Sequence, residues 1–95
     1  MLFVFEREST LSFWMKNTLI PLSIAYINKD CTIVDIQQMI PAVKGDLNPM
    51  TYPSKKPAIY ALETNINWYK KNNVNVGDRI TTYSEKTKVC PGNKL

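Results

Sequence analysis

The stretch Phe13-Trp14-Met15-Lys16-Asn17-Thr18-Leu19-Ile20-Pro21-Leu22 decides how this chain is read. It sets two large aromatics, a methionine, one cation and two hydrogen-bonding side chains together and closes with a proline. Successive strand side chains alternate, so Phe13, Met15 and Asn17 share one face and Ser12, Trp14, Lys16 and Thr18 the other. Apolar residues on both faces predict a strand covered on both sides. A lysine beside Trp14 there must carry its ammonium to water or meet a carboxylate, because an unpaired buried cation is costly. Pro21 fixes φ and biases Ile20 toward extended backbone, so the strand is expected to end or swerve there.

Working outward, Leu2 to Phe5 is wholly apolar and reads as a buried strand, ended by a charged turn from Glu6 to Thr10. Ser23 to Asn28 reads as a strand, Asn28-Lys29-Asp30-Cys31 as a turn and Thr32 to Met39 as the returning arm of a hairpin. On that arm Val34 and Ile36 share a face with Thr32 and Gln38, while Ile33 and Met39 share one with Asp35 and Gln37. That pattern fits a sheet with one dry face and one partly wet face. From Ile40 to Pro57 the periodicity disappears and Pro41, Pro49, Pro53 and Pro57 gather; loops of this length are usually functional or disordered. Ala58 to Thr64 resumes as a strand. Thr64 or Asn65 is the expected N-cap of a short helix through Lys71, with Lys70 and Lys71 at its negative end. Val74 to Asp78 reads as a turn and Arg79 to Tyr83 as the last strand.

The chain is therefore expected to be mainly β, a small β-sandwich or flattened barrel of about six strands with one short helix. Its 95 residues, 44% hydrophobic, fit a single domain over residues 1–83 with a polar C-terminal tail over 84–95. The net charge of +4 comes from scattered lysines and only two arginines, Arg7 and Arg79, which argues against a nucleic-acid surface. The chain contains no histidine, so Ser-His-Asp and Cys-His chemistry and His-containing zinc sites are excluded. Cys31 and Cys90 are either one disulfide or two free thiols, too widely spaced for a CxxC unit. No metal site and no cofactor are expected. No signal peptide is visible, and no apolar run approaches the ~18 residues of a membrane span.

The run Phe13 to Leu22, then Ile24-Ala25-Tyr26-Ile27, Tyr52-Pro53-Ser54, Pro57-Ala58-Ile59-Tyr60-Ala61-Leu62-Glu63, Trp68 and Val76-Gly77-Asp78 together resemble the domain-of-unknown-function 192 family. The resemblance extends from Met1 to about Tyr83. It implies a compact, mainly β domain, often exported in bacteria and archaea and so periplasmic or secreted, with no stated activity. Relatives usually carry an acidic residue where this chain has Ser23 and a glycine where it has Cys31. Met1 to Phe5 is similar to an internal strand of the family pattern, so the chain is expected to begin after an upstream segment.

The candidate site is Trp14, Lys16, Asn17, Tyr52, Ser54, Tyr60 and Glu63. An aromatic wall with one cation, one carboxylate, hydroxyls and an amide is the kind of surface that holds a sugar or a small polar ligand. The bland reading makes Trp14 and Tyr60 core, lets Asn17 and Ser54 satisfy loop backbone, and pairs Lys16 with Glu63 or Asp35. The expected function is a non-catalytic binding module. An alternative is an interaction protein that takes up a partner strand at an exposed sheet edge. A hydrolase-like enzyme would need Glu63 with Lys16, or Asp35 with Glu63, at shifted pKa, and a nucleophilic Cys31 would need Lys29 to activate it.

Overall fold

Leu22-Ser23-Ile24-Ala25-Tyr26-Ile27 is apolar at all but one position, and such a strand is stable where both its faces are covered. A computed structural model, describing residues 1–16 and 18–80, shows how that is done. In chain order the elements are β1 (Leu2–Ser9), β2 (Ser12–Trp14), β3 (Leu22–Ile27), β4 (Ile33–Met39), β5 (Thr51–Pro53), β6 (Ala58–Asn65) and α1 (Trp68–Lys71). They form an antiparallel four-stranded sheet in the order β1-β6-β3-β4 and a two-stranded sheet of β2 and β5. The fold is mainly β and sandwich-like, as expected.

On one face of β3, Ile24 and Tyr26 pack with Leu11, Met15, Met39 and Tyr52, where the small sheet covers the large one. On the other, Ala25 and Ile27 pack with Ile33 and with Tyr69 of α1. The β3/β4 pairing contains a bulge: Tyr26 faces Asp35 but Ile27 faces Ile33, which leaves Val34 unopposed. One extra residue reverses the side-chain parity. Ile33 therefore joins Ala25 and Ile27, and does not share the face of Asp35, Gln37 and Met39 that plain alternation assigns it.

Several boundaries differ from the expectation. β1 continues through Glu6, Arg7 and Glu8 to Ser9 and is the outermost strand, so Leu2, Val4 and Phe5 are exposed and not buried. The strand at the start of the Phe13–Leu22 stretch is only three residues long, Ser12–Trp14, and only the Phe13/Met15 side of the stretch meets the core; Trp14 is 55% exposed. The Ile40–Pro57 segment contributes β5, which pairs with β2. Arg79 makes an isolated bridge with Thr32, and the rest of the strand expected to Tyr83, like the polar tail, lies outside the described residues. The cap of α1 is Asn67, in the left-handed region at φ 66° with no side-chain cap bond, because β6 runs to Asn65. The Asn67 N–H instead donates to buried Ser23 Oγ at 2.8 Å.

Buried polar groups join the two sheets. The hydroxyl of Tyr26 donates to the carbonyl of Tyr52. Asp35, 3% exposed, accepts through Oδ2 from Gln37 Nε2 at 2.7 Å and from the Lys55 N–H at 3.1 Å, and Gln37 Nε2 also donates to the Pro53 carbonyl. Hydrogen bonds to a charged acceptor contribute about 1.5–3 kcal/mol, and a stranded donor costs more. Asp35→Ala is expected to lower unfolding free energy by about 2–3 kcal/mol in urea titration, with Asp35→Asn losing less.

Candidate binding cleft

After β2 the chain turns back at once: the Thr18 N–H donates to the Met15 carbonyl at 3.1 Å, which carries Lys16 to the outside. The segment after β4 rises beside this turn. Its root is held by the Tyr52 hydroxyl, which accepts from the Ile40 N–H at 3.1 Å, and by the Ala42 N–H, 3.5 Å from the Met15 carbonyl. Gly45, at φ 83°, lets the chain reverse, and the Asp46 N–H donates to the Val43 carbonyl at 3.0 Å. Between turn and loop lies a cleft of about 560 Å³, lined by Lys16, Thr18 and Leu19 on one side and residues 42–47 on the other. A smaller cavity of about 120 Å³ shares Ala42, Val43 and Asp46 with it and reaches inward to Met15, Met50 and Tyr52.

Of the residues singled out from sequence, Lys16 lines the cleft and Tyr52 lies at the bottom of the smaller cavity. Trp14 is outside it, facing solvent, with the Lys16 ammonium 5.4 Å from its ring centroid. Asn17 lies outside the described residues. Ser54 is buried and serves backbone: its Oγ accepts from the Leu11 N–H at 3.1 Å, and its own N–H donates to the Leu11 carbonyl at 2.7 Å. Tyr60 packs on the opposite face of the large sheet, against the α1 side and Cys31. Glu63 sits on β6, between β1 and β3. The aromatic wall expected from the sequence is thus divided between two faces and the core.

The catalytic pairings fare similarly. Burial raises the Glu63 pKa and the terminal ammonium at Met1 lowers it again; Lys16 is not among its perturbers. Asp35 is taken up by Gln37 and Lys55. Cys31 is not a free thiol, and Cys90 lies outside the described residues. Ser23 holds the helix cap, accepting from the Asn67 N–H through its Oγ. Of the cleft lining, the sequence reading singled out only Lys16; among the residues it missed are Leu19, Val43, Lys44, Asp46 and Leu47. The signal that pointed to four of them was the long aperiodic segment after Met39, legible as functional ground without naming its side chains.

A family model described as an uncharacterized ACR, the domain-of-unknown-function 192 family, matches residues 1–82. The chain belongs to this family. Two solved structures share its fold. A candidate transcription regulator from Sinorhizobium meliloti 1021 is 35% identical at a TM-score of 0.73, over 83% of this chain and 58% of that one. A protein of unknown function from Novosphingobium aromaticivorans DSM 12444 is 25% identical at a TM-score of 0.74, over 86% of this chain and 56% of its own. The chain therefore spans under two thirds of either neighbour. Comparison with curated proteins gives no match.

The raised pKa of Glu63 has a consequence with a definite sign. The folded state holds the proton more tightly than the unfolded chain, so stability falls as pH rises from the ordinary carboxyl range through the raised value. Glu63→Gln removes that term. Its melting temperature is expected to match or exceed the parent's at neutral pH and to converge with it in acid, as read by thermal unfolding across a pH series.

Proposed function

We propose that this chain is a non-catalytic binding module whose cleft between the Met15–Leu19 turn and the loop after β4 receives a small polar ligand. The cleft itself carries the reading: its volume falls within the roughly 300–1,000 Å³ of small-molecule sites. Its walls are apolar through Leu19, Ala42, Val43 and Leu47, with Lys16, Lys44 and Asp46 as orienting groups. A charged ligand fits this lining better than a sugar. Sugars stack on flat aromatic faces, and Trp14, the aromatic nearest in sequence, lies outside the cleft under Lys16. A Cys31 that is not a free thiol fits the oxidising, exported setting common in the family.

The test is thermal unfolding against a panel of carboxylates, nucleotides, sugars and peptides, on the parent, Lys16→Ala and Ala42→Trp, the last filling the cleft. A ligand at a hundredfold over its Kd stabilises the folded form by about 2.7 kcal/mol. The expected result is a shift in the parent that both variants reduce. A parent unmoved by every compound, or a shift untouched by Ala42→Trp, sinks the reading.

The exposed outer edge of β1 supports a second reading, a protein partner strand added to the large sheet, because Val4 is 60% exposed on the outermost strand. It requires association that rises with concentration and is abolished by Val4→Lys, measured by sedimentation velocity.

A further inference from the structure

Leu19 and Leu47 stand on opposite lips of the cleft and are 91% and 94% exposed. A small ligand between Lys16 and Lys44 would touch only their flanks. Single exposed leucines need no explanation, but these two flank one opening with Val43 and, next along the chain, Ile20, themselves 75% and 57% exposed. We propose that this end of the domain docks on an anionic phospholipid bilayer, with a lipid phosphate headgroup entering the cleft between Lys16 and Lys44 while Leu19 and Leu47 enter the acyl boundary. The headgroup seat rests on the cleft reading given above.

Four considerations select this occupant. Protruding side chains need matching hollows in a protein partner, whereas a fluid interface accepts them without shape complementarity. Lysines beside projecting apolar residues are the composition of interfacial segments that bind anionic leaflets. Two cations face a single carboxylate in the lining, and Asp46 already accepts the Asn48 N–H through Oδ1 at 2.9 Å. The chain's charge of +4 has the same sign as the lips.

The test is co-sedimentation of the full chain with equimolar phosphatidylcholine and phosphatidylglycerol vesicles at low salt, against phosphatidylcholine alone. Binding is expected to the mixed vesicles and to weaken with added salt. Leu19→Ser and Leu47→Ser should each weaken it about tenfold, and Lys16→Ala and Lys44→Ala about fivefold each. All four side chains are surface groups, so unchanged melting curves confirm intact folds. A parent that ignores the mixed vesicles overturns the docking proposal and leaves the small-ligand reading standing. Leucine variants that bind like the parent overturn it as well, since charge alone then accounts for the affinity. Lysine variants that bind like the parent remove the headgroup seat and overturn the proposal, while the small-ligand reading still rests on its own thermal-unfolding test. Glycerol 3-phosphate, the headgroup without its tails, raising the melting temperature of the parent but not of Lys16→Ala would support the seat. A soluble acidic peptide that binds the lips while vesicles do not would assign the surface to a protein partner and overturn the proposal.

Discussion

The hydroxyl of Tyr26 is the point on which the two sheets depend. Tyr26 is fully buried near the end of β3, and a buried hydroxyl without a partner is costly, so its donation to the Tyr52 carbonyl fixes where β5 can lie. Burial first, and then the charges of Asp35 and Glu63, hold its pKa far above the ordinary phenol value. The group therefore stays protonated and remains a donor throughout the physiological range. Tyr52 passes the constraint on: its own hydroxyl holds the Ile40 backbone, where the cleft-forming loop begins. Strand, small sheet and loop root are thus linked by two tyrosines in series.

The other face of the sheet is held by the same device. Tyr69 of α1 is buried, donates to the Leu62 carbonyl at 2.6 Å, and has its pKa pushed up to about 12, chiefly by burial. One helical turn has too few internal hydrogen bonds to stand alone. Its position follows from this anchor and from the bonds that Ser23 and Gln38 make to Asn67. Apolar packing supplies most of the cohesion on both faces, while the tyrosines and Ser23 select one arrangement among the many that hydrophobicity alone would accept.

How much of this was legible in the sequence depended on whether the signal was periodic. The β3–β4 hairpin and β6 alternate or run apolar, and their positions were readable to within a residue or two. The bulge at Val34 was not, because one extra residue leaves composition unchanged while reversing parity for everything beyond it. β1 misled because an apolar run looks the same at a sheet edge as at its centre. Trp14 misled because large aromatics are usually core, yet here the small sheet has only one covered face and Trp14 is on the other. Lys16 was recognised as needing water or a carboxylate, and it took water, with the Trp14 ring beneath it. The cleft was legible only as a place, since the side chains that line it come from segments without period.

Among the described residues, the sheet edge at β1 and the lips of the cleft both expose apolar side chains, and they are not equally defended. The edge strand β1 carries Glu6, Arg7 and Glu8, and its pairing with β6 loses register between Val4 and Ser9. Charges and irregularities of this kind blunt a sheet edge against another strand. The lips of the cleft have no such protection: Gly45 and the turn after Met15 present Leu19 and Leu47 outward, and the neighbouring lysines attract opposite charge more than they deter contact. Keeping these leucines exposed adds little cost to the fold, because the tyrosine relay fixes the loop at its root and leaves the tip free of the core. A domain of this size has few places where exposed leucines can be kept without weakening its core. Exposed leucines beside cations, on a loop braced from below, set this end of the sandwich apart from the sheet edge and give the docking proposal its geometric basis.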